Sequence, residues 1–315
     1  MTQQQIHVMA GAIQDDQGRV LVTRRPDHVH QGGLWEFPGG KLEPGESPQQ
    51  GLARELDEEL GISVHTSQPL IRVYHDYGDR HILLDVHRVT AYVGIPQGRE
   101  GQPLAWLAPD AMDPAQFPAA DRPIITALRL PQHLLITGPD PRDPKTFLAR
   151  LGRALQNGIR LVQLRAHALD DAAYRDLAER VYQVCAQAGA RLLLNRDPAA
   201  VAACPRHGLH LSSRLLSALN QRPGHVGELV GASCHNAAEL ARAASLGLDY
   251  AVLSPVKPTA THPDLPPLGW TRFSDLVDPV PFPVFALGGL APADLSAAIN
   301  YGAQGIAAIR GLWPE

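Results

Sequence analysis

Apolar and polar positions alternate through residues 5–13, QIHVMAGAI, with the period of a β-strand. The polar DDQGRV that follows reads as a hairpin turn, and VLVTRR as the strand leaving it. Then the period changes: Leu52, Leu56 and Leu60 recur every fourth residue, which predicts a helix with a buried stripe. Its ends are also marked. Ser47 is an N-cap, Pro48 takes the first helical position, Gln50 completes a capping box, and Gly61 stops the helix. LLDVHRVTAYV predicts a further strand, and FPAADRPIITALRL a Pro-rich turn running into an amphipathic helix. Together these predict an α+β domain over residues 1–130, with a short junction at Pro131 and Gln132.

From residue 133 to 315 the pattern is different. Short apolar runs, HLLIT, RLVQLR, RLLLN, GLHLS, ELVGAS, YAVLS, PVFALGG and GIAAIR, alternate with helical stretches. Asp143-Pro144 is a cap followed by a helix-starting proline, and DDAAYRDLAERVYQVCAQAG closes on Gly189. Repeated strand–helix units of this kind predict a compact (β/α)8 barrel, with a doubly wound sheet as the alternative. The fold class is therefore α/β in two domains.

Composition adds limits. The chain is 44% hydrophobic and 19% charged, as in folded globular proteins, and its 315 residues exceed one ordinary core. Through residue 130 there are 11 Lys and Arg against 17 Asp and Glu. That balance argues against wrapping a nucleic-acid polymer and suits a cation-dependent enzyme. Cys185, Cys204 and Cys234 are widely spaced, so a disulfide framework or zinc site is not expected, and a reducing cytoplasm is. MTQQQIHVMAGAI has no basic stretch of a signal peptide, and no apolar run is long enough for a membrane span.

Six acidic side chains fall between Glu43 and Glu59, with Arg54 the one basic residue among them. On the predicted helix Glu55, Glu58 and Glu59 cluster beside the leucine stripe and should repel one another. A hard divalent cation, Mg2+ or Mn2+, removes that repulsion because it prefers carboxylate oxygen. Arg54 can hold a carboxylate by paired hydrogen bonds, and Gly39-Gly40 lets the backbone approach and offer a carbonyl. The alternative is a solvated helix face laced with ion pairs.

The complete spacing, Gly40, five residues, Glu46, seven residues, then Arg54-Glu55-Leu56-x-Glu58-Glu59-x-Gly61-Ile62, matches the Nudix box. The first domain resembles the Nudix hydrolases, which implies an α/β/α sandwich. TRRPDHVHQGGLWEFPGGK, DRHILL, GREGQPLAWL and FPAADRPII resemble the MutT branch, which hydrolyses oxidised guanine nucleoside triphosphates. The resemblance implies metal binding by Glu55, Glu58, Glu59 and the Gly39 carbonyl, with Glu100 as a further ligand or base. It implies that Arg54 supports catalysis, that Arg25 and Lys41 meet the substrate, and that Phe37, Asp79 and Arg80 border the base. The MutT pattern has Asn where this chain has Asp121. An ionised Asp only accepts hydrogen bonds, whereas a protonated one also donates, so Asp121 bears on base choice. An exocyclic amine such as cytosine's suits the ionised form. The alternative for Asp121 is a helix N-cap.

At the C-terminal ends of the barrel strands, where barrel chemistry sits, stand Arg165, Asn195, His210, Ser233, His235, Lys257, Thr259, Thr261, His262, Gly288, Gly289 and Arg310. QNGIRLVQLR, LLLN, GLHLS, GASCHNAAEL, LSPVKPTATHP, ALGGLAPADL and GAQGIAAI, in that order, resemble thiamine phosphate synthase and its relative, the TenI thiazole tautomerase. The resemblance implies that Arg165, Asn195, Thr259, Thr261, Gly288 and Gly289 bind a phosphorylated thiazole or thiamine ligand, and that His235 can be a base. It also exposes departures. His167 and His262 stand where the synthase has lysines, Arg196 replaces a magnesium-binding acid, and the acid expected after HLG is missing from HLSSRLL. A pyrophosphate with Mg2+ needs fixed charges, so these changes put synthase activity in doubt. Three functions stay open. One is a nucleotide-pool hydrolase for oxidised dGTP beside a barrel of uncertain activity. Another is a hydrolase of thiamine-precursor pyrophosphates coupled to synthesis. In the third the barrel serves only as a phosphate-ligand sensor or scaffold.

Overall fold

Strand β1 (Gln5–Ile13) organises the first unit, because its alternate residues face two different cores. The computed structural model describes residues 5–28, 31–78, 81–138, 141–259 and 266–314. Met9 and Ile13 point to a cluster with Leu52, Leu56 and Leu60; Ala10 and Ala12 point the other way, to Val86, Ile124 and Ile125. The remaining elements of this unit are β2 (Val20–Arg24), β3 (Trp35–Glu36), β4 (Gly39–Lys41), α1 (Pro48–Leu60), β5 (Ser63–Asp76), β6 (His81–Val93), β7 (Leu104–Leu107) and α2 (Arg122–Arg129). One mixed sheet runs β4-β1-β6-β5, with β1 and β6 parallel; an antiparallel sheet runs β3-β2-β7. Helix α1 covers one face of β1 and α2 the other, which is the expected α/β/α sandwich.

The ends of α1 follow the sequence closely. Ser47 accepts from the Gln50 N–H, the Gln50 side chain reciprocates, and Gly61 closes the helix at φ 71°. The turn at 14–20 is real, its arms joined by the bridge Gln14–Val20 and by bonds between Asp15 and Arg19, but β1 and β2 then enter different sheets. Strand β5 was not anticipated. Its pairing with β6 shifts register three times, one shift beside Pro69, so its alternation is broken.

The second unit is a closed barrel of eight parallel strands: β8 (His133–Ile136), β9 (Leu161–Leu164), β10 (Arg191–Leu194), β11 (Gly208–Leu211), β12 (Leu229–Cys234), β13 (Tyr250–Leu253), β14 (Val284–Leu287) and β15 (Gly305–Ala308). All eight apolar runs are strands, and closure excludes the doubly wound sheet. Six α-helices lie between them: α3 (Pro144–Gln156), α4 (Asp171–Gln187), α5 (Ser213–Ala218), α6 (Ala237–Ser245), α7 (Gly269–Val277) and α8 (Leu295–Asn300). Among the described residues, the β10–β11 connection is made by turns without a helix. Asp143 caps α3 through the Thr146 N–H, and Gly189 follows α4 at φ 63°.

The chain divides into units of residues 1–129 and 130–315. Leu130 is buried with the inward-facing Leu134, Leu161, Tyr250 and Phe285. The Leu130 carbonyl accepts from the Gln304 amide at 3.0 Å and the Gln132 carbonyl from the Ile306 N–H at 2.9 Å. The residues expected to close the first domain and form a junction are therefore bonded into the barrel. The signal missed was Leu130 itself, an apolar residue two positions before a buried strand.

Leu56 is fully buried, and a Cβ added at Gly11 would lie 2.9 Å from its Cδ1. Leu56→Ala is expected to destabilise the first unit by about 2–5 kcal/mol, read as a fall in the midpoint of the first unit's urea transition.

Candidate active sites

Arg54 binds three carboxylates at once. Its Nε and Nη2 donate to the two oxygens of Glu46 at 2.8 and 3.0 Å. Its Nη1 donates to Glu55 at 2.9 Å and Glu58 at 3.2 Å, and Nη2 also reaches the Lys41 carbonyl at 3.0 Å. The fork fits a carboxylate bidentately, so Glu46 anchors the guanidinium and the guanidinium orients Glu55 and Glu58. These bonds hold the Arg54 charge on more firmly than usual, Glu46 contributing most. Gly40 leaves room for this arrangement, because a Cβ there would displace the Glu55 carboxylate.

Glu59 lies outside this clasp. Its carboxylate accepts from the Gly39 N–H at 3.1 Å. Burial, followed by the charges of Glu100, Glu36 and Glu55, pushes its pKa up to about 8, against the lowering effect of that N–H. Glu100 is brought here by α1 itself. The N–H groups of Gln97 and Arg99 donate to the last-turn carbonyls of Leu60 and Glu59, and the Arg99 guanidinium donates to the Asp57 carbonyl at 2.7 Å. A helix C-terminus with free carbonyls has thus been capped by a loop and a cation. Among the described residues, no three acidic or histidine side chains stand close enough to hold a metal ready-made. The expected ligands Gly39, Glu55, Glu58, Glu59 and Glu100 are therefore neighbours rather than an assembled shell. Their chemistry nevertheless fits a hard dication. They are oxygen donors, and the charges of Glu100 and Glu55 add to burial in keeping Glu59 from ionising.

Glu36 was missed by the sequence reading, although it is an acid inside the apolar run LWEFP. It forms an ion pair with Arg25, and its charge acts on both Glu59 and Asp121. Asp121 is 6% exposed, and its carboxyl makes no hydrogen bond among the described residues. The N-cap alternative fails, because no cap bond leaves its side chain. Burial, then the Glu36 charge, raises its pKa to about 8, with Arg25 opposing. Phe37, expected beside a base, is buried with Ala120, its ring stacked on Phe117 at 5.8 Å. It supports the Asp121 turn from the core. Lys41 is exposed, and Asp79 and Arg80 lie outside the described residues.

In the barrel, a cavity of about 420 Å³ opens among Arg165, Asn195, Ser233, His235, Thr259, Gly288, Gly289 and Arg310. That is room for a small ligand. Gly289, at φ 64°, passes 2.5 Å from the Pro258 carbonyl where a Cβ would sit, so the chain there must be bare. Thr261 and His262 lie outside the described residues. Asn195 is buried and donates to the His210 carbonyl at 2.8 Å. Gln163 lines the cavity with a buried Oε1 that has no partner among the described residues; the sequence reading gave it no role.

The departures are structurally filled. Arg196 donates to Asp171 at 2.9 Å and to the Leu169 carbonyl at 2.8 Å, its guanidinium 5.0 Å from the Tyr174 ring centre. Asp197 accepts from the Ala199 N–H, and Lys257 is paired with Asp294 at 2.6 Å. His167 lines the cavity and is held below the ordinary histidine pKa by burial, then by Arg165 and Arg196.

A sandwich carrying a carboxylate-rich helix, followed by a parallel barrel with a ligand-sized cavity, defines a two-domain protein of the hydrolase-plus-barrel class. Residues 9–127 match the family described as NUDIX domain, and residues 133–312 the family described as thiamine monophosphate synthase. The chain belongs to both: it joins a Nudix pyrophosphohydrolase domain to a barrel of the thiamine monophosphate synthase family. It is 36% identical over 124 residues to the 8-oxo-dGTP diphosphatase of Escherichia coli strain K12, covering 39% of this chain and 96% of that protein. It is 40% identical over 124 residues to the CTP pyrophosphohydrolase of the same organism, 39% and 90% respectively. The barrel is 32% identical over 177 residues to a putative thiamine-phosphate synthase of Geobacter sulfurreducens, 56% of this chain and 83% of that one. Nudix hydrolases generally need divalent metals. Among the described residues no helix is long and apolar enough to cross a membrane.

At pH 8.5 the unfolded Glu59 is ionised while the folded one resists ionisation, so its burial lowers stability there. Glu59→Gln should therefore raise the metal-free melting temperature, by about 2–4 °C per kcal/mol recovered. The same change should cancel most of the further rise that Mg2+ or Mn2+ gives the parent chain. Thermal melts with EDTA and with added metal read both effects.

Proposed function

We propose that the first unit hydrolyses nucleoside triphosphates to the monophosphate and pyrophosphate, with oxidised dGTP as its preferred substrate. The buried carboxyl of Asp121 carries this reading. Below its pKa of about 8 it is a neutral acid, with a donor O–H beside an acceptor C=O. Oxidised guanine offers the complementary pair, the O6 acceptor beside the N7–H donor. Ordinary guanine has acceptors at both positions, one of which would face the acid's own oxygen. A carboxylic acid here thus does the work of the amide in the MutT pattern.

When bound, the divalent cation neutralises the phosphates and acidifies a water. This chain's residues do the rest. Arg54 fixes Glu55 and Glu58, the Gly39 N–H fixes Glu59, and the loop capped on α1 brings Glu100 near enough to accept the water's proton. Arg25, paired with Glu36 between the carboxylates and Asp121, is suited to meet the phosphates. Cytosine nucleotides are the second candidate, favoured by the 40% identity to a CTP pyrophosphohydrolase. Cytosine N3 and N4–H also match a neutral acid.

The barrel is read as a binder of a phosphorylated thiazole- or thiamine-type ligand that does not perform the metal-dependent condensation. The Arg196–Asp171 and Lys257–Asp294 pairs favour this, because the charges nearest the departures are already committed.

Pyrophosphate release from oxidised dGTP, dGTP and CTP at saturating Mg2+ tests the first reading. Oxidised dGTP should lead in kcat/KM, and Glu58→Gln should lower the rate by about 100-fold or more. A lead by CTP would replace the proposed substrate. The preference for oxidised dGTP over dGTP should hold up to pH 7 and fall about tenfold by pH 9 as Asp121 ionises, a loss of ~1.4 kcal/mol. It should stay flat in Asp121→Asn. Equal profiles in both chains would remove Asp121 from base selection. For the barrel, no thiamine phosphate should form from its two precursors even at high enzyme concentration.

A further inference from the structure

Two histidines at the barrel mouth are treated differently by their surroundings. His210 on β11 is buried, and both ring nitrogens are engaged: Nδ1 lies 2.8 Å from the Tyr250 hydroxyl and Nε2 lies 2.9 Å from Ser233 Oγ. Tyr250 is fully buried, and His210 is the only partner of its hydroxyl among the described residues. A buried phenol must place its proton on an acceptor, so the Tyr250 O–H donates to Nδ1. The His210 proton is then on Nε2, where it donates to Ser233 Oγ. Burial holds His210 neutral, its pKa pushed down to about 3, so the ring has one proton to place and its position is set. Ser233 has no other partner among the described residues and lines the cavity. Having accepted from His210, its own O–H is left to donate into the cavity.

His235, two residues on and also lining the cavity, is set the opposite way. Glu239, one turn into α6, accepts from the His235 backbone N–H at 2.8 Å and from Nδ1 at 3.0 Å with the same oxygen. In the neutral ring Nδ1 therefore carries the proton, and Nε2, which has no partner among the described residues, keeps a free lone pair. Asn236 caps α6 at the Glu239 N–H, which fixes the carboxylate's own position.

We propose that Tyr250, His210 and Glu239 are positioning residues that give the barrel cavity a fixed polarity: Ser233 Oγ–H as an obligate donor and His235 Nε2 as an obligate acceptor, side by side at the end of β12. The ligand this pair selects is a small phosphate ester whose head group has a hydrogen-bond acceptor next to an acidic N–H or O–H. A head group with two acceptors at that edge is refused by the His235 lone pair, and one with two donors leaves the Ser233 proton unmatched. The inference rests on the cavity being a ligand site, as read above, but its test needs no ligand and no turnover.

The test is long-range proton–nitrogen correlation on the full chain labelled at histidine, at pH 7, with His210→Gln and His235→Gln to assign the two rings. His210 should show the Nε2–H tautomer and His235 the Nδ1–H tautomer. In Glu239→Leu no side chain at this position accepts from Nδ1–H, so the Nδ1–H share of His235 should fall while His210 is unchanged. In Tyr250→Phe the His210 signal should change while His235 is unchanged. The remaining histidine signals report whether each variant is folded. An Nδ1–H form of His210 or an Nε2–H form of His235 in the parent chain would overturn the proposal. So would a His235 tautomer indifferent to Glu239→Leu.

Discussion

The first unit depends on keeping like charges together where they would separate. Burial, followed by the charges of Glu100, Glu36 and Glu55, keeps Glu59 from ionising at neutral pH. Three features hold the carboxylates together. The fully buried stripe of Leu52, Leu56 and Leu60 fixes the helix. Arg54 ties Glu55 and Glu58 to Glu46. The loop before β7 is bonded to the carbonyls at the helix end. The hydrophobic effect supplies the anchorage, and the resulting concentration of carboxylate oxygen has the chemistry that suits a hard dication. Removing the anchorage would let the carboxylates relax apart and the attraction for metal weaken with them.

Most of this was legible in the sequence because it is local. Ser47, Pro48, Gln50 and Gly61 mark helix ends through contacts within a few residues, and a leucine every fourth position needs no knowledge of the rest of the chain. The eight barrel strands were legible for a related reason: strands buried on both faces read as apolar runs. Strand β5 was not, because its face changes at each register shift. Leu130 was assigned to the wrong unit because an apolar residue at a boundary does not declare which core it enters.

The states of the site residues were less legible than their positions. Asp121 stood out as a departure, but whether it donates depends on burial and on Glu36, which is 85 residues away in sequence. Glu36, Gln163 and Glu239 lie inside motif stretches that gave them no role of their own; each, like Tyr250, acquires its role from what surrounds it in space. In the barrel the departures suggested lost charge, whereas the structure has Arg196, Asp197 and Lys257 engaged in local bonds. Arg196 and Lys257 are paired with acids near the cavity, while Arg165 and Arg310 line it.

The bonding of residues 130–132 into the barrel affects how the two units can be studied apart. A cut placed after Gln132, where the strand pattern begins, would remove the Leu130 carbonyl to which the Gln304 amide donates and the acceptor of the Ile306 N–H, and open the space that Leu130 fills. Each buried donor left unsatisfied costs about 1–3 kcal/mol. A barrel prepared alone should therefore begin at or before Leu130, and the hydrolase unit can end at Arg129 without losing a side chain from either of its cores.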